Sequence, residues 1–327
     1  MQQVEILMAV YNGEKYMKEQ IQSILNQTHQ NIRLIIRDNC STDRTREILQ
    51  KYVEEYPEKI KLLVSKENVG VIGNFSALLD HAEGNYIMFS DHDDIWLPEK
   101  IEKTLKKMLE IDGRELSLTP VLVHTDLTVV NERLETIHPS FWKYSNLNPL
   151  AGQTLSRLLL QNQVTGCTMM INKSLRDLAR PIPKDIVMHD WWLALCAASF
   201  GKIAIVDEAT MLYRQHGKND TGAQRYSLIS VIKAKFNKER RAKMQKCRQM
   251  TVVQAKQFLS KNSDRLSLES QEIIKAFIKF DDAIFFKKAI LMFKYSFYRV
   301  GLFRNLCLIF GLRNLRILYQ KISGVIK

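Results

Sequence analysis

Residues 4–13 read Val4-Glu5-Ile6-Leu7-Met8-Ala9-Val10-Tyr11-Asn12-Gly13, a short apolar run that stops at Asn-Gly and predicts a buried strand. The segment after it changes period. Met17, Ile21, Ile24 and Leu25 fall at i, i+4, i+7 and i+8, one face of an amphipathic helix. The same alternation repeats three times. Leu34–Arg37 is a second strand, and Ser41 or Thr42 can cap a helix carrying Ile48, Leu49, Tyr52 and Val53. Ile60–Val64 is a third strand, Asn74 opens a helix with Phe75, Leu78, Leu79 and Ala82, and Tyr86–Ser90 is a fourth strand. No hairpin signal separates the strands, so the fold class is α/β, with a mainly parallel sheet flanked by helices. Ligands of such sheets sit beyond the carboxyl ends of the strands.

That rule selects Tyr11-Asn12, Asp38-Asn39 and Asp91-His92-Asp93-Asp94. No G-x-G-x-x-G follows a strand and no G-x-x-x-x-G-K-[ST] occurs, so the two usual phosphate loops are excluded. Three aspartates within four residues, Asp91, Asp93 and Asp94, repel one another unless a cation or hydrogen bonds offset their charge. A polar loop with a helix cap accounts for them, but their place at a strand end favours a divalent metal, Mg²⁺ or Mn²⁺, bridging a diphosphate. Further along, Val121–Thr125, Thr168–Ile171 and Ile203–Val206 read as strands, and Leu155, Leu158 and Leu159 as a helical piece. Pro181 and Pro183 place a loop before His189-Asp190-Trp191-Trp192.

The chain has 327 residues, 46% of them hydrophobic, and a formal charge of +13. Residues 225–327 hold 23 Lys+Arg against 6 Asp+Glu, or +17, which leaves −4 for the rest. The basic character therefore belongs to the last third. Five scattered cysteines without C-x-x-C spacing point to a reducing compartment and away from structural zinc. The N-terminal apolar run is too short for a signal peptide, so a cytoplasmic location is expected.

Several ordered segments now carry a family resemblance. They are Val10-Tyr11-Asn12-Gly13, Arg37-Asp38-Asn39-Cys40-Ser41-Thr42-Asp43, Asn68-Val69-Gly70, Ser90-Asp91-His92-Asp93-Asp94-Ile95-Trp96, His189-Asp190-Trp191-Trp192 and Tyr213-Arg214-Gln215-His216-Gly217. Over residues 4–222 their order resembles family 2 inverting glycosyltransferases, and the resemblance implies a GT-A fold. Ser-Asp-x-Asp-Asp-Ile-Trp with the later Asp-Trp-Trp is most similar to bacterial rhamnosyltransferases of surface polysaccharide assembly. The resemblance implies that Asp38 binds the pyrimidine base and that Tyr11 and Asn12 line the nucleotide pocket. It puts Asp91 near ribose and metal, Asp93 and His216 on the metal, and Arg214 near the phosphates. Asp94 would orient the sugar or brace its loop. Asp190 matches the general base that takes the acceptor's proton, a helix N-cap being the alternative. The family's Asp-Asp-Gly-Ser turn reads Asp38-Asn39-Cys40-Ser41 here, and His189 stands where an acid is usual.

Trp191 and Trp192 are candidates for an acceptor-sugar platform, since aromatic faces stack on pyranose rings, with core packing as the alternative for at least one. Phe141-Trp142-Lys143-Tyr144 is a candidate mobile acceptor loop. The expected organisation is a catalytic domain over 1–222, with a nucleotide half to about 115 and an acceptor half beyond, followed by a basic helical region over 223–327. From Lys287 to Lys327 there are nine basic residues and no acidic one. That pattern suits an interfacial helix on an anionic membrane at the inner face of the cell, or a homodimer interface or helical cap. Nucleic-acid binding is disfavoured by the acidic catalytic half and the absence of a recognised motif. The expected reaction is transfer from a dTDP- or UDP-sugar, dTDP-rhamnose first and a UDP-hexose or UDP-N-acetylhexosamine second, to a lipid-linked saccharide.

Overall fold

The computed structural model describes residues 2–113, 118–217, 222–223, 225, 237–301, 304–306 and 308–309. The first ninety residues alternate as their periodicity predicts: β1 (Val4–Val10), α1 (Met17–Leu25), β2 (Ile32–Asp38), α2 (Thr45–Glu55), β3 (Ile60–Val64), α3 (Gly70–Asp80) and β4 (Tyr86–Ser90). There follow β5 (Ile95–Trp96), α4 (Lys100–Asp112), β6 (Val121–Val130), β7 (Thr136–His138), α5 (Phe141–Tyr144), α6 (Leu155–Leu160), β8 (Met169–Asn172), α7 (Lys173–Ala179), α8 (His189–Phe200) and β9 (Lys202–Arg214). The last helices are α9 (Lys238–Asn262), α10 (Leu268–Asp282) and α11 (Phe285–Tyr295).

One sheet runs in the order β3-β2-β1-β4-β8-β6-β9-β5, with β7 paired to β6. The expected parallel core is its first half, where Val10 lies beside Asp38 and Met8 beside Ser90. Beyond β4 the sheet is mixed: β8 enters antiparallel between β4 and β6, and β5 pairs antiparallel with β9. The two expected halves of the catalytic domain thus share one hydrogen-bonded layer. β1 is buried along nearly its whole length, as a strand covered on both faces must be. Val4, Ile6, Met8 and Val10 pack with Met17, Ile21 and Ile24 of α1 and Ile101, Leu105 and Met108 of α4. On the other face lie Phe75, Leu78 and Leu79 of α3 and the buried α8.

Three local expectations are corrected. Helix α3 begins at Gly70 rather than Asn74, because Gly70 takes the left-handed φ of +72° that turns the chain into the helix. Neither Ser41 nor Thr42 caps α2: the Ser41 hydroxyl accepts from the Asn12 amide instead, and α2 starts after Arg44 without a side-chain cap. Phe141–Tyr144 is a helical turn, not a loop, with Trp142 buried and its amide donating to Asp126 at 3.2 Å.

The chain forms two compact units. The first comprises Met1–Tyr144, Val164–Lys184 and Met188–Gln224, and the second Ser145–Gln163, Asp185–Val187 and Arg225–Lys327. The second unit therefore takes two short segments that linear reading assigned to the catalytic domain. Within it, α6, α9, α10 and α11 enclose Leu158, Phe258, Ile274, Phe277, Phe280 and Phe297. The Phe297 ring meets those of Phe277 and Phe280 edge-on at 5.8 and 5.5 Å. Ser267 caps α10 by accepting from the Ser270 amide at 3.1 Å. Lys218 and the basic residues Arg313, Arg316, Lys321 and Lys327 lie outside the described residues.

Candidate active site

The carboxyl ends of β1, β2 and β4 deliver three loops to one edge, and hydrogen bonds lock the first two together. Asn12, at φ +50°, donates its amide to Ser41 Oγ at 2.9 Å and accepts from the Thr42 amide at 2.9 Å. The Gly13 amide donates to Thr45 Oγ1 at 2.8 Å. Asn39 receives the Val69 amide at 3.0 Å and donates to Asn68 at 2.9 Å, which ties in the Asn68-Val69-Gly70 segment. Cys40 has φ +67°, the left-handed conformation that glycine adopts without strain. The turn survives the loss of its glycine, and Cys40 bears the steric cost.

Asp38 is fully buried at the end of β2. One carboxylate oxygen accepts from the Ser41 amide at 3.2 Å and the other from Arg46 Nη2 at 3.2 Å. Tyr11, next to Asn12, is 44% exposed and offers a ring at the rim.

The β4 loop carries the acids. Asp93 Oδ2 lies 2.8 Å from His216 Nε2 and accepts from it when that ring nitrogen carries the proton. The expected strand near Ile203–Val206 in fact extends to Arg214, which is why His216 emerges at the strand end beside Asp93. Asp94 is buried, its Oδ1 receiving the Arg214 amide at 3.1 Å while Oδ2 has no hydrogen-bond partner among the described residues. Burial, then the negative charges of Asp93 and Asp91, push its carboxyl well above the usual range. Asp91, Asp94 and Cys167 bring donor atoms within 4.8 Å of one another. Behind them Lys100 is buried against the Trp96 ring at 4.9 Å, and burial lowers its ammonium to about 8.

An orphaned buried carboxylate oxygen beside two further acids is the environment a hard divalent cation relieves. Among the described residues the convergent donor atoms are those of Asp91, Asp94 and Cys167, while Asp93 is paired with His216; the carboxylate oxygens of this loop are donors of the kind Mg²⁺ or Mn²⁺ takes. Cys167 suits Mg²⁺ or Mn²⁺ poorly, because those hard cations take oxygen ligands and thiolate sulfur is soft; burial first and the nearby acids second raise its thiol well above the ordinary value.

Arg214 is buried among protein acceptors. Its guanidinium donates to the Asp93 carbonyl at 3.0 Å, to the Glu132 carbonyl at 2.9 Å and to the Glu19 carboxylate. It also lies 4.7 Å over the Tyr16 ring. Tyr16 stacks on His216 at 4.9 Å and donates to Glu132 at 2.6 Å. Hydrogen bonds from Lys15 and then Tyr16 pull Glu132 down to about 2. Arg214, Tyr16, Glu19 and Glu132 thus form a frame around the Asp93–His216 pair. Motif reading missed Tyr16, Glu19 and Glu132, since their partners lie on distant strands and no local spacing marks them.

Asp190 sits in the first turn of α8, with Met188 at the N-cap position, so it is not the cap. Its Oδ2 accepts from the Gly166 amide at 3.0 Å and its Oδ1 from the Trp191 amide at 2.5 Å. Gly166 immediately precedes Cys167, so Asp190 is anchored one residue from the acidic cluster. His189 stacks on Phe75 at 4.0 Å, and burial lowers it to about 3. The expected tryptophan platform is corrected for Trp192: it is fully buried and donates its indole N–H to the Ala179 carbonyl at 3.1 Å. Trp191 is also buried. A depression of about 710 Å³ along the edge strand β3 contains none of these side chains.

Comparison with known proteins agrees with this geometry. Residues 5–179 match the family model Glycosyl transferase family 2. The dTDP-rhamnosyl transferase RfbG of Shigella flexneri is 30% identical over 246 residues, covering 70% of this chain and 80% of its own. An uncharacterized glycosyltransferase of Nostoc is 29% identical over 224 residues, 66% of each chain. Among solved structures, S. aureus TarS 1–349 in complex with UDP-GlcNAc superposes with a TM-score of 0.56 at 18% identity, covering 85% of this chain and 70% of that one. That likeness shows the GT-A-like fold. With its family-model match across more than half the chain and acids at the strand ends, this protein is an enzyme belonging to glycosyltransferase family 2.

Proposed function

We propose that the enzyme transfers a sugar, with inversion, from a pyrimidine nucleoside diphosphate to a saccharide acceptor, lipid-linked, during surface polysaccharide synthesis. The favoured donor is dTDP-rhamnose. The name and 30% identity of RfbG support it, while the UDP-GlcNAc bound to TarS supports the second choice, a UDP-hexose or UDP-N-acetylhexosamine.

The carrying observation is the Asp190 carboxyl group, fixed by the Trp191 amide and by the amide of Gly166, the chain neighbour of the Cys167 that groups with Asp91 and Asp94. Asp190 accepts the proton of the acceptor hydroxyl as that oxygen forms a bond to the anomeric carbon. The bond from that carbon to the diphosphate oxygen breaks in the same displacement, its electron pair leaving with the nucleoside diphosphate. Tyr11, Asn12 and Asp38 hold the nucleoside, and Asp38 does so from a position organised by Ser41 and Arg46. Asp91, Asp93 and His216 would hold a divalent cation, which as a Lewis acid offsets charge on the departing diphosphate. Arg214 keeps Asp93 and Asp94 in place, and Asp94 braces the loop or orients the sugar.

Calorimetric titration with dTDP, UDP and GDP, each with and without Mn²⁺, tests this reading. Pyrimidine nucleotides should bind more tightly than GDP, and Mn²⁺ should strengthen them. Equal binding of all three, or none, defeats the proposed donor class.

A further inference from the structure

Helix α11 of the second unit inverts the usual distribution of residues. Met292 faces inward at 3% exposure, whereas Phe286, Ile290 and Phe293 are 74%, 64% and 70% exposed. Their spacing, i, i+4 and i+7, puts them on one stripe. Ile284, just before the helix, is 74% exposed as well. Lys287 and Lys294 are exposed and stand one heptad apart along the flank of that stripe. No Asp or Glu occurs from Ala283 to Lys327, a stretch with nine Lys and Arg. A contiguous apolar surface of this kind on a water-soluble fold needs a cover.

We propose that α11 lies flat in the headgroup region of an anionic lipid bilayer, its Phe286–Ile290–Phe293 stripe among the acyl chains and Lys287 and Lys294 on the lipid phosphates. Charge decides for lipid over a second copy. Protein interfaces are depleted of lysine at their cores, and apposing this face with itself would set its lysines together with only Asp282, ahead of the helix, to offset them. Large apolar residues flanked by lysines are instead the composition of an interfacial helix. Eleven residues are too few to cross a bilayer, which needs about 20, and no helix among the described residues is long and apolar enough to do so. The inference deepens the proposed function by naming where the enzyme meets a lipid-linked acceptor, and it rests on that reading only for this purpose.

The test is co-sedimentation of the full chain with phosphatidylcholine vesicles, with and without phosphatidylglycerol. Wild type should partition onto the anionic vesicles. Phe286→Ser/Ile290→Ser/Phe293→Ser should lower that partition on the order of a hundredfold. Lys287→Gln/Lys294→Gln, which removes two charges and the Lys294 contact with the Tyr295 ring, should lower it about thirtyfold on anionic vesicles and leave neutral ones unchanged. Circular dichroism and nucleotide calorimetry on each variant report folding of the helices and integrity of the nucleotide site. The inference is overturned if wild type stays in solution, if the lysine variant binds as well as wild type, or if the serine substitutions dissociate a soluble dimer without changing vesicle binding. Vesicle binding without any nucleotide binding would leave the surface standing and sink the donor reading instead.

Discussion

The first unit hides charge, and the second displays hydrocarbon. At the strand ends Asp38, Asp94, Lys100 and Arg214 are buried at 0–3% exposure, while on α11 three large apolar side chains stand in the open. Both arrangements oppose the ordinary partition of polar and apolar groups, and both cost stability. The buried polar groups are held by a rigid α/β layer that can bear the cost, at the strand ends where the proposed reaction would develop and move charge. The exposed stripe is borne by a small helical unit, where it is favourable only once water is replaced. A departure from the hydrophobic rule is thus informative in either direction, and its surroundings indicate whether chemistry or contact explains it.

The comparison breaks most sharply at Asp190. Asp190→Asn keeps the side chain's size, removes the base and leaves one acceptor oxygen where two now receive the Gly166 and Trp191 amides, so turnover should fall about a hundred- to ten-thousandfold with nucleotide affinity unchanged. Near-normal turnover would reduce Asp190 to a structural residue. The next effect concerns a buried polar group outside the acidic cluster. His124 has no hydrogen-bond partner for either ring nitrogen among the described residues and is lowered to about 3 by burial. Below pH 6.5 the unfolded chain binds a proton there that the folded chain refuses until about pH 3, so stability falls through that window as pH falls. His124→Leu should remove a few kcal/mol of that acid sensitivity, read as a flatter melting temperature between pH 6.5 and 3.

A smaller effect is expected at the frame. Arg214→Met leaves the carbonyls of Asp93 and Glu132 without their donor and should cost about 1–3 kcal/mol, an estimate tempered by the half-exposed Glu19. It should also weaken Mn²⁺-linked nucleotide binding. A loss of stability with metal linkage intact would separate the frame from the site. The smallest change is Cys40→Gly, which relieves a left-handed residue and should stabilise by under about 1 kcal/mol, while Cys40→Val should destabilise, both read by denaturant melts.

Much of the scaffold is legible along the chain. β3 and β4 begin and end where their apolar runs do, and α1 carries the stripe that its spacing predicts. The strand-end rule likewise picks out Asn12, Asp38 and Asp91 before any contact is known. The start of α3 is missed because a backbone conformation at Gly70, not a hydrophobic period, sets it. The tryptophans mislead because an aromatic pair reads alike in a core and on a platform, and only the Ala179 carbonyl decides for Trp192.

The amino-acid order by itself determined the alternating α/β scaffold, the loops that carry the acids and the concentration of positive charge in the last third, since each depends on neighbours within a few turns of chain. The tertiary structure alone decided that Arg214 braces the Asp93 loop, that Tyr16, Glu19 and Glu132 surround the Asp93–His216 pair, and that α11 turns Phe286 and Phe293 to solvent. Those outcomes depend on partners far apart in sequence, up to 195 residues for Arg214 and Glu19, and on which face of a helix finds a neighbour. Burial and pairing are properties of the packed chain, and no local period encodes them.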